Sequence, residues 1–114
     1  MPLQLTTRFR ENVYLIHCAG RIVLGEEVNT LEAALAQSVR ECSRVVLGLS
    51  EVDRLDSIGL GLVVRFVTNL RKRGGDLRLA APPVFVVRLL GMTMLAEVLQ
   101  TYDTEEDAIS SFSE

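Results

Sequence analysis

The stretch Val45-Val46-Leu47-Gly48-Leu49 constrains the fold more than any other part of the chain. Five consecutive residues without a polar side chain leave a strand no wet face. A strand dry on both sides belongs in a parallel sheet covered by helices. The flanking segments supply such helices. Upstream, Leu24, Val28, Leu31, Leu35 and Val39 recur at spacings of four, three, four and four, which is one face of an α-helix. Glu26 and Glu27 fall in its first turn, where carboxylates meet the positive end of the helix dipole. Downstream, a short linker over Glu51 to Leu55 leads into a second helix, predicted from Ser57 to Arg73.

The outer segments complete the layout. Leu3 to Phe9 reads as a strand, and Val13 to Ala19 as a second one rich in β-branched and aromatic residues, with Gly20 marking its end. Glu11-Asn12 between them suits a tight hairpin. Past the second helix, Leu77 to Ala80 is a short strand, and Pro82-Pro83 introduces a third helix over Val84 to Leu90. Leu95 to Tyr102 holds a turn and the last strand. Thr104, with Asp107 three residues on, has the capping-box spacing that opens a closing helix. Two strands followed by alternating helix and strand predict an α/β fold: a mixed sheet of about four to five strands packed against about four helices. One domain is expected over residues 1–114, since this length supports a single sizeable core.

Charge and reactive side chains exclude several function classes. A net charge of -3 offers no general attraction for nucleic acid or an anionic membrane. The basic run Arg71-Lys72-Arg73 closes a helix before Gly74-Gly75, where cations complement the negative end of the dipole. Cys18 and Cys42 form no disulfide framework and have no second ligand at metal spacing, so no metal is expected. His17 lies inside a strand with no partner nearby in sequence and reads as a structural histidine. No cofactor fingerprint is present, because Gly59-x-Gly61 is too short for a glycine-rich phosphate loop. The first residues lack a signal-peptide layout, and no uncharged apolar run approaches the roughly 20 residues that span a bilayer. The expectation is a cytoplasmic protein without membrane insertion or direct nucleic acid binding.

The informative segment runs from Asp53 to Leu62, where the buried strand gives way to a helix at the strand's carboxyl end. Asp56 or Ser57 serves as its N-cap, and Gly59 and Gly61 allow close helix packing. At about 100° per residue, Leu60, Val63, Val64, Val67 and Leu70 form one apolar stripe, with Phe66 on its flank. Ile58 falls on nearly the opposite side, beside Gly61, Arg65 and Asn69, with Leu62 next to it. Two adjoining apolar residues facing water at a loop-to-helix junction suggest a contact surface.

These residues carry a family resemblance. Gly20-Arg21-Ile22, the strand Val45-Val46-Leu47, the helix opening Leu55-Asp56-Ser57-Ile58-Gly59-Leu60-Gly61, Gly74-Gly75 before Leu77, and Val84 through Leu95 together resemble the STAS domain of bacterial anti-sigma factor antagonists. The resemblance implies partner switching: the protein binds an anti-sigma factor that is also a serine kinase, and so releases a sigma factor for transcription. It implies a partner-binding set of Arg21, Asp56, Ser57, Ile58, Gly59, Gly61 and Leu62. The family's usual phosphoacceptor precedes the motif glycine. Here that position is Ile58, which has no hydroxyl, and Ser57 is left as the fallback acceptor. Self-association into a weak homodimer stays open.

An enzyme is not expected. Ser57 lacks the preceding glycine of a nucleophile elbow, since position 55 is leucine, and His17 is the single histidine for any triad. The competing reading is another use of the same fold, as a STAS-type regulatory subunit of a membrane transporter or of a larger signalling assembly.

Overall fold

A computed structural model describes residues 2–113. The elements are β1 (Gln4–Arg10), β2 (Val13–Ile22), α1 (Glu26–Glu41), β3 (Arg44–Leu55), α2 (Ser57–Lys72), β4 (Asp76–Ala80), α3 (Val84–Met92), β5 (Thr101–Tyr102) and α4 (Glu105–Ser110), with 3-10 turns at Leu95–Glu97 and Ser111–Ser113. The five strands lie side by side in sequence order. The first pair is antiparallel and the others are parallel. Glu11 and Asn12 join the first pair with φ of 53° and 65°. Positive φ at both central residues is what a type I′ hairpin turn requires.

The topology dictates the layers. Parallel strands added in one direction through right-handed crossovers leave the connecting helices on one face of the sheet. Residues of α1, α2 and α3 accordingly share a core with Ile16, Val45, Leu47, Leu77 and Leu79. The opposite face, with Val13, Leu15, Val46 and Ala80, is covered by Ala108 and Ile109 of α4. The central strand is thus dry on both sides, as its composition demands: Val45, Val46 and Leu47 are fully buried.

Three of the differences from the expected boundaries have a clear local reason. Strand β2 does not stop at Gly20 but runs to Ile22. Gly20 instead takes a φ of 110° where the register with β3 slips, so the glycine bends the strand and lets it continue. Glu51 to Leu55 is not a linker; it prolongs β3, paired with β2 through Ala19↔Glu51 and Ile22↔Leu55. Strand β4 ends opposite Gly48, so Glu51, Asp53 and Arg54 face water while Val52 stays inside. Leu24 lies outside α1, which starts after Gly25, a residue at φ 122°. Val28, Leu31 and Leu35 carry the buried face of α1.

The basic run at the end of α2 is structural. Arg71 pairs with Asp76 at 2.9 Å, and Arg73 donates to the Val39 carbonyl at 2.8 Å. In α4, the Thr104 hydroxyl oxygen accepts the Asp107 N–H at 3.0 Å, as the capping spacing predicts.

Candidate functional site

One carboxylate organises the junction between β3 and α2. Asp56 has extended backbone, and its Oδ1 accepts the Gly59 N–H at 2.8 Å, capping α2. Its Oδ2 accepts the Leu24 N–H, also at 2.8 Å, which ties the β2–α1 loop to the helix start. Partial burial works against the charged carboxylate, yet the amides of Gly59, Leu24 and Ile58 outweigh it and hold the carboxyl below its ordinary range. Asp56 is therefore ionised and fixed in place at neutral pH.

Gly59 pins the same junction from beneath. A Cβ built there would lie 2.7 Å from the Ile22 carbonyl oxygen and 2.8 Å from Ile22 Cγ2. Only glycine lets α2 start this close to the end of β2, whose carbonyl also accepts the Asp56 N–H at 3.3 Å. Gly59 is buried and acts as a spacer below the surface, out of reach of a partner.

The helix turns Leu60, Val63, Phe66, Val67 and Leu70 inward, with Val64 at the edge of the core. Ile58 is left 48 % exposed and Leu24 70 % exposed. Leu24 is joined to the Asp56 carboxylate through its backbone N–H, Ile58 follows Asp56 by two positions, and Ser57 is also exposed. The expected neighbour of Ile58 was Leu62, but Leu62 is only 6 % exposed. It is tucked against α1, because a second helix packs on that flank of α2 as well as the sheet on the other. Leu24 takes its place in the exposed pair. The signal for this was present: Gly25 followed by Glu26-Glu27 marks a helix start that excludes Leu24. Gly61 differs from Gly59. It is exposed, and a Cβ there would meet nothing within 4 Å, so close packing within this chain does not explain it.

Arg21 sits at the same end of the sheet, on β2 beside Arg54. Its Nε is 3.6 Å from Glu27 Oε1 and is buried without a hydrogen-bond partner among the described residues. The structure thus gathers Arg21, Asp56, Ser57 and Ile58 at one edge, adds Leu24, and withdraws Gly59 and Leu62 beneath the surface.

His17 has partners that are remote in sequence. Its Nδ1 lies 2.6 Å from Glu105 Oε2 and its Nε2 lies 2.6 Å from Glu51 Oε2. Bonding to Glu105, against the opposing effect of burial and helped by Glu51, raises its pKa above the ordinary value. The protonated ring donates to both carboxylates and clasps α4 to the sheet. Both ring nitrogens are taken up in this way, so neither is free to activate Ser57. A Cβ on Gly48 would come within 2.0 Å of Glu105 Oε2, so a side chain there would displace this carboxylate from His17.

Comparison with known proteins agrees with this fold. The STAS domain family model matches residues 4–108. A candidate anti-sigma factor antagonist of Thermotoga maritima is 33% identical over 67 residues, which is 59% of this chain and 59% of that protein. The chain thus matches less than two thirds of that relative's length. An anti-sigma F factor antagonist of Paenibacillus polymyxa is 26% identical over 113 residues, covering 96% of this chain and 95% of the relative. The crystal structure of an anti-sigma factor antagonist from Mycobacterium paratuberculosis superposes with a TM-score of 0.88 at 22% identity, covering 98% of this chain and 95% of the other. At that identity the superposition speaks to the fold. No helix among the described residues is long and apolar enough to cross a membrane.

Proposed function

Because the chain belongs to the STAS domain family, we propose that it is an anti-sigma factor antagonist, which binds an anti-sigma factor carrying serine kinase activity and thereby releases a sigma factor for transcription. One observation carries this reading. The junction that the family motif occupies presents two exposed apolar side chains, Leu24 and Ile58, on a backbone fixed by the doubly bonded Asp56 carboxylate. An apolar surface held rigid before binding loses little conformational freedom on association. The name of the Paenibacillus relative, aligned over nearly the whole chain, supports the same reading.

Regulation follows from Ile58. A phosphate adds about -1.5 to -2 charges and would convert an apolar contact into a strongly hydrated one. Isoleucine cannot acquire it, so the antagonist stays competent to bind in the presence of kinase and ATP. The partner-binding set is Arg21, Leu24, Asp56, Ser57 and Ile58, with Gly59 as the spacer that positions them. The test is affinity capture from the native cell, followed by incubation of the recovered kinase with ATP. An anti-sigma factor should be recovered; the wild-type protein should gain little phosphate, and Ile58→Ser should become a substrate. Recovery of transporter subunits instead would favour a transporter regulator. Stoichiometric phosphate on Ser57 of the native protein would move the switch one residue earlier.

A further inference from the structure

The sheet has two edges, and they differ in what they offer another chain. Strand β5 is two residues long, too short to template much pairing. Strand β1 is seven residues long and has β2 as its only neighbour in the sheet. Its register with β2 is unbroken by a bulge, it holds no proline, and most of its side chains are exposed. Bulges, prolines and short length are the usual means by which an edge is kept from pairing. Of its two charges, Arg8 and Arg10, the second is drawn off to Glu106 at 2.8 Å. Phe9 is 59 % exposed on this strand.

The hairpin fixes which backbone groups face outward. A two-residue turn at Glu11-Asn12 makes Arg10 and Val13 a pair that exchanges its hydrogen bonds. The alternation of an antiparallel ladder then turns the N–H and C=O of Arg8, Thr6 and Gln4 toward β2 as well. Those of Leu5, Thr7 and Phe9 point away from the sheet. The side chains of these three share its helix-covered face, where Leu5 packs at the margin of the core. A strand that mates with this edge must present outward groups at the same spacing, and β1 itself does. With two copies of β1 antiparallel and centred on Thr7, all seven residues find a partner. Thr7 faces the second copy's Thr7, Leu5 faces Phe9, Thr6 faces Arg8 and Gln4 faces Arg10. The outward groups then meet one another, and the exposed Phe9 ring gains Leu5 as a cross-strand contact. No arginine stands directly opposite another, whereas centring on Arg8 would oppose like charges. We infer that a second copy of this chain occupies the edge, its β1 antiparallel to the first and centred on Thr7, so that the two sheets join into one. Asp56 follows β3, two strands further in, and lies apart from the joint.

Sedimentation velocity and amide hydrogen exchange on the full chain test it, each across a wide range of protein concentration. The wild type should pass from monomer to dimer as the concentration rises. The amides of Leu5, Thr7 and Phe9 should gain protection over the same range, while those of Thr6 and Arg8, already bonded to β2, stay unchanged. Thr7→Pro removes an N–H that makes no bond to β2, so the fold should hold and dimer affinity should fall at least about tenfold. Phe9→Glu, at a position already exposed, should weaken the dimer without touching the backbone, and it carries the test alone if Thr7→Pro fails to fold. A wild type that stays monomeric at every concentration overturns the inference. A dimer that survives these substitutions also overturns it, because the copies then meet elsewhere. Protection of Leu5, Thr7 and Phe9 that arises only on adding the anti-sigma factor does the same, since the edge then takes a strand of that partner. None of these outcomes depends on Ile58, so the proposed function stands or falls separately.

Discussion

Replacing Asp56 with alanine removes two hydrogen bonds that share one carboxylate. The cap to Gly59 and the tie to Leu24 are both 2.8 Å long. Loss of an N-cap costs about 0.5–2 kcal/mol. The tie to Leu24 closes an exposed loop, where a hydrogen bond contributes about 0.5–1.5 kcal/mol. Together the substitution should destabilise the protein by about 1–3 kcal/mol, which for a domain of this size lowers the melting temperature by roughly 5–15 °C. Asp56→Asn should fall between, because its single carbonyl oxygen satisfies the two N–H groups less well than a carboxylate. The pH dependence carries a definite sign. The Asp56 carboxyl sits below its ordinary value in the folded protein, so its contribution is full above that value and fades as the pH falls through the lower, folded one. The gap between wild type and Asp56→Asn should therefore close below about pH 4. Thermal melting and urea unfolding, each followed by circular dichroism across pH, read both quantities. A melting temperature for Asp56→Ala within a degree of wild type would refute the role given to this carboxylate.

Gly59→Ala places a methyl group 2.7 Å from a backbone oxygen that cannot swing aside. Overpacking of about 1–3 kcal/mol should exceed the helix gain of about 0.5–1 kcal/mol, giving net destabilisation; a higher midpoint in urea would contradict the spacer role. His17 has a raised pKa, so the stability from its clasp is full below its ordinary value of 6.5 and is lost as the pH rises through the higher, folded value. Glu105→Gln should therefore cost more stability at pH 6 than at pH 9, and an equal cost at both would show that the ring is not charged in the clasp.

The sequence made the fold legible where its pattern was local and one-sided. The fully apolar Val45 to Leu49, the helical spacing of α2 and the Thr104 cap each correspond to an element in the structure. Errors arose where tertiary pairing overrode a local signal. Gly20 reads as a stop but serves as a bend, because β3 continues alongside it. Glu51 to Leu55 reads as polar linker, although its alternation around Val52 is that of a strand with one wet face. Helix geometry against the sheet alone puts Leu62 at the surface; α1 supplies a second packing partner and buries it. At the site, Asp56 and Ile58 were legible from helix geometry, and the motif's resemblance gave them a role. The exclusion of Leu24 from α1 is legible in Gly25 and the two glutamates after it, but its tie to Asp56 is not, since that is a hydrogen bond across 32 residues of sequence. The partners of His17, at separations of 34 and 88, were likewise beyond any local reading.

The central claim is that the exposed surface at Ile58 is where the anti-sigma factor docks, and Ile58→Glu tests it most directly. The side chain is 48 % exposed in the free protein, and a carboxylate near a helix start is favoured by the dipole, by about 0.3–1 kcal/mol. Melting should change little. In the complex the same carboxylate displaces an apolar contact and is buried without a counter-charge, and a loss of about 3 kcal/mol lowers affinity more than a hundredfold. Calorimetric titration of the anti-sigma factor into wild type and Ile58→Glu, paired with melting of each, separates the two effects. A fall in affinity of that size at an unchanged melting temperature is the predicted result. Unchanged affinity at an unchanged melting temperature would contradict the account, because the partner would then dock elsewhere.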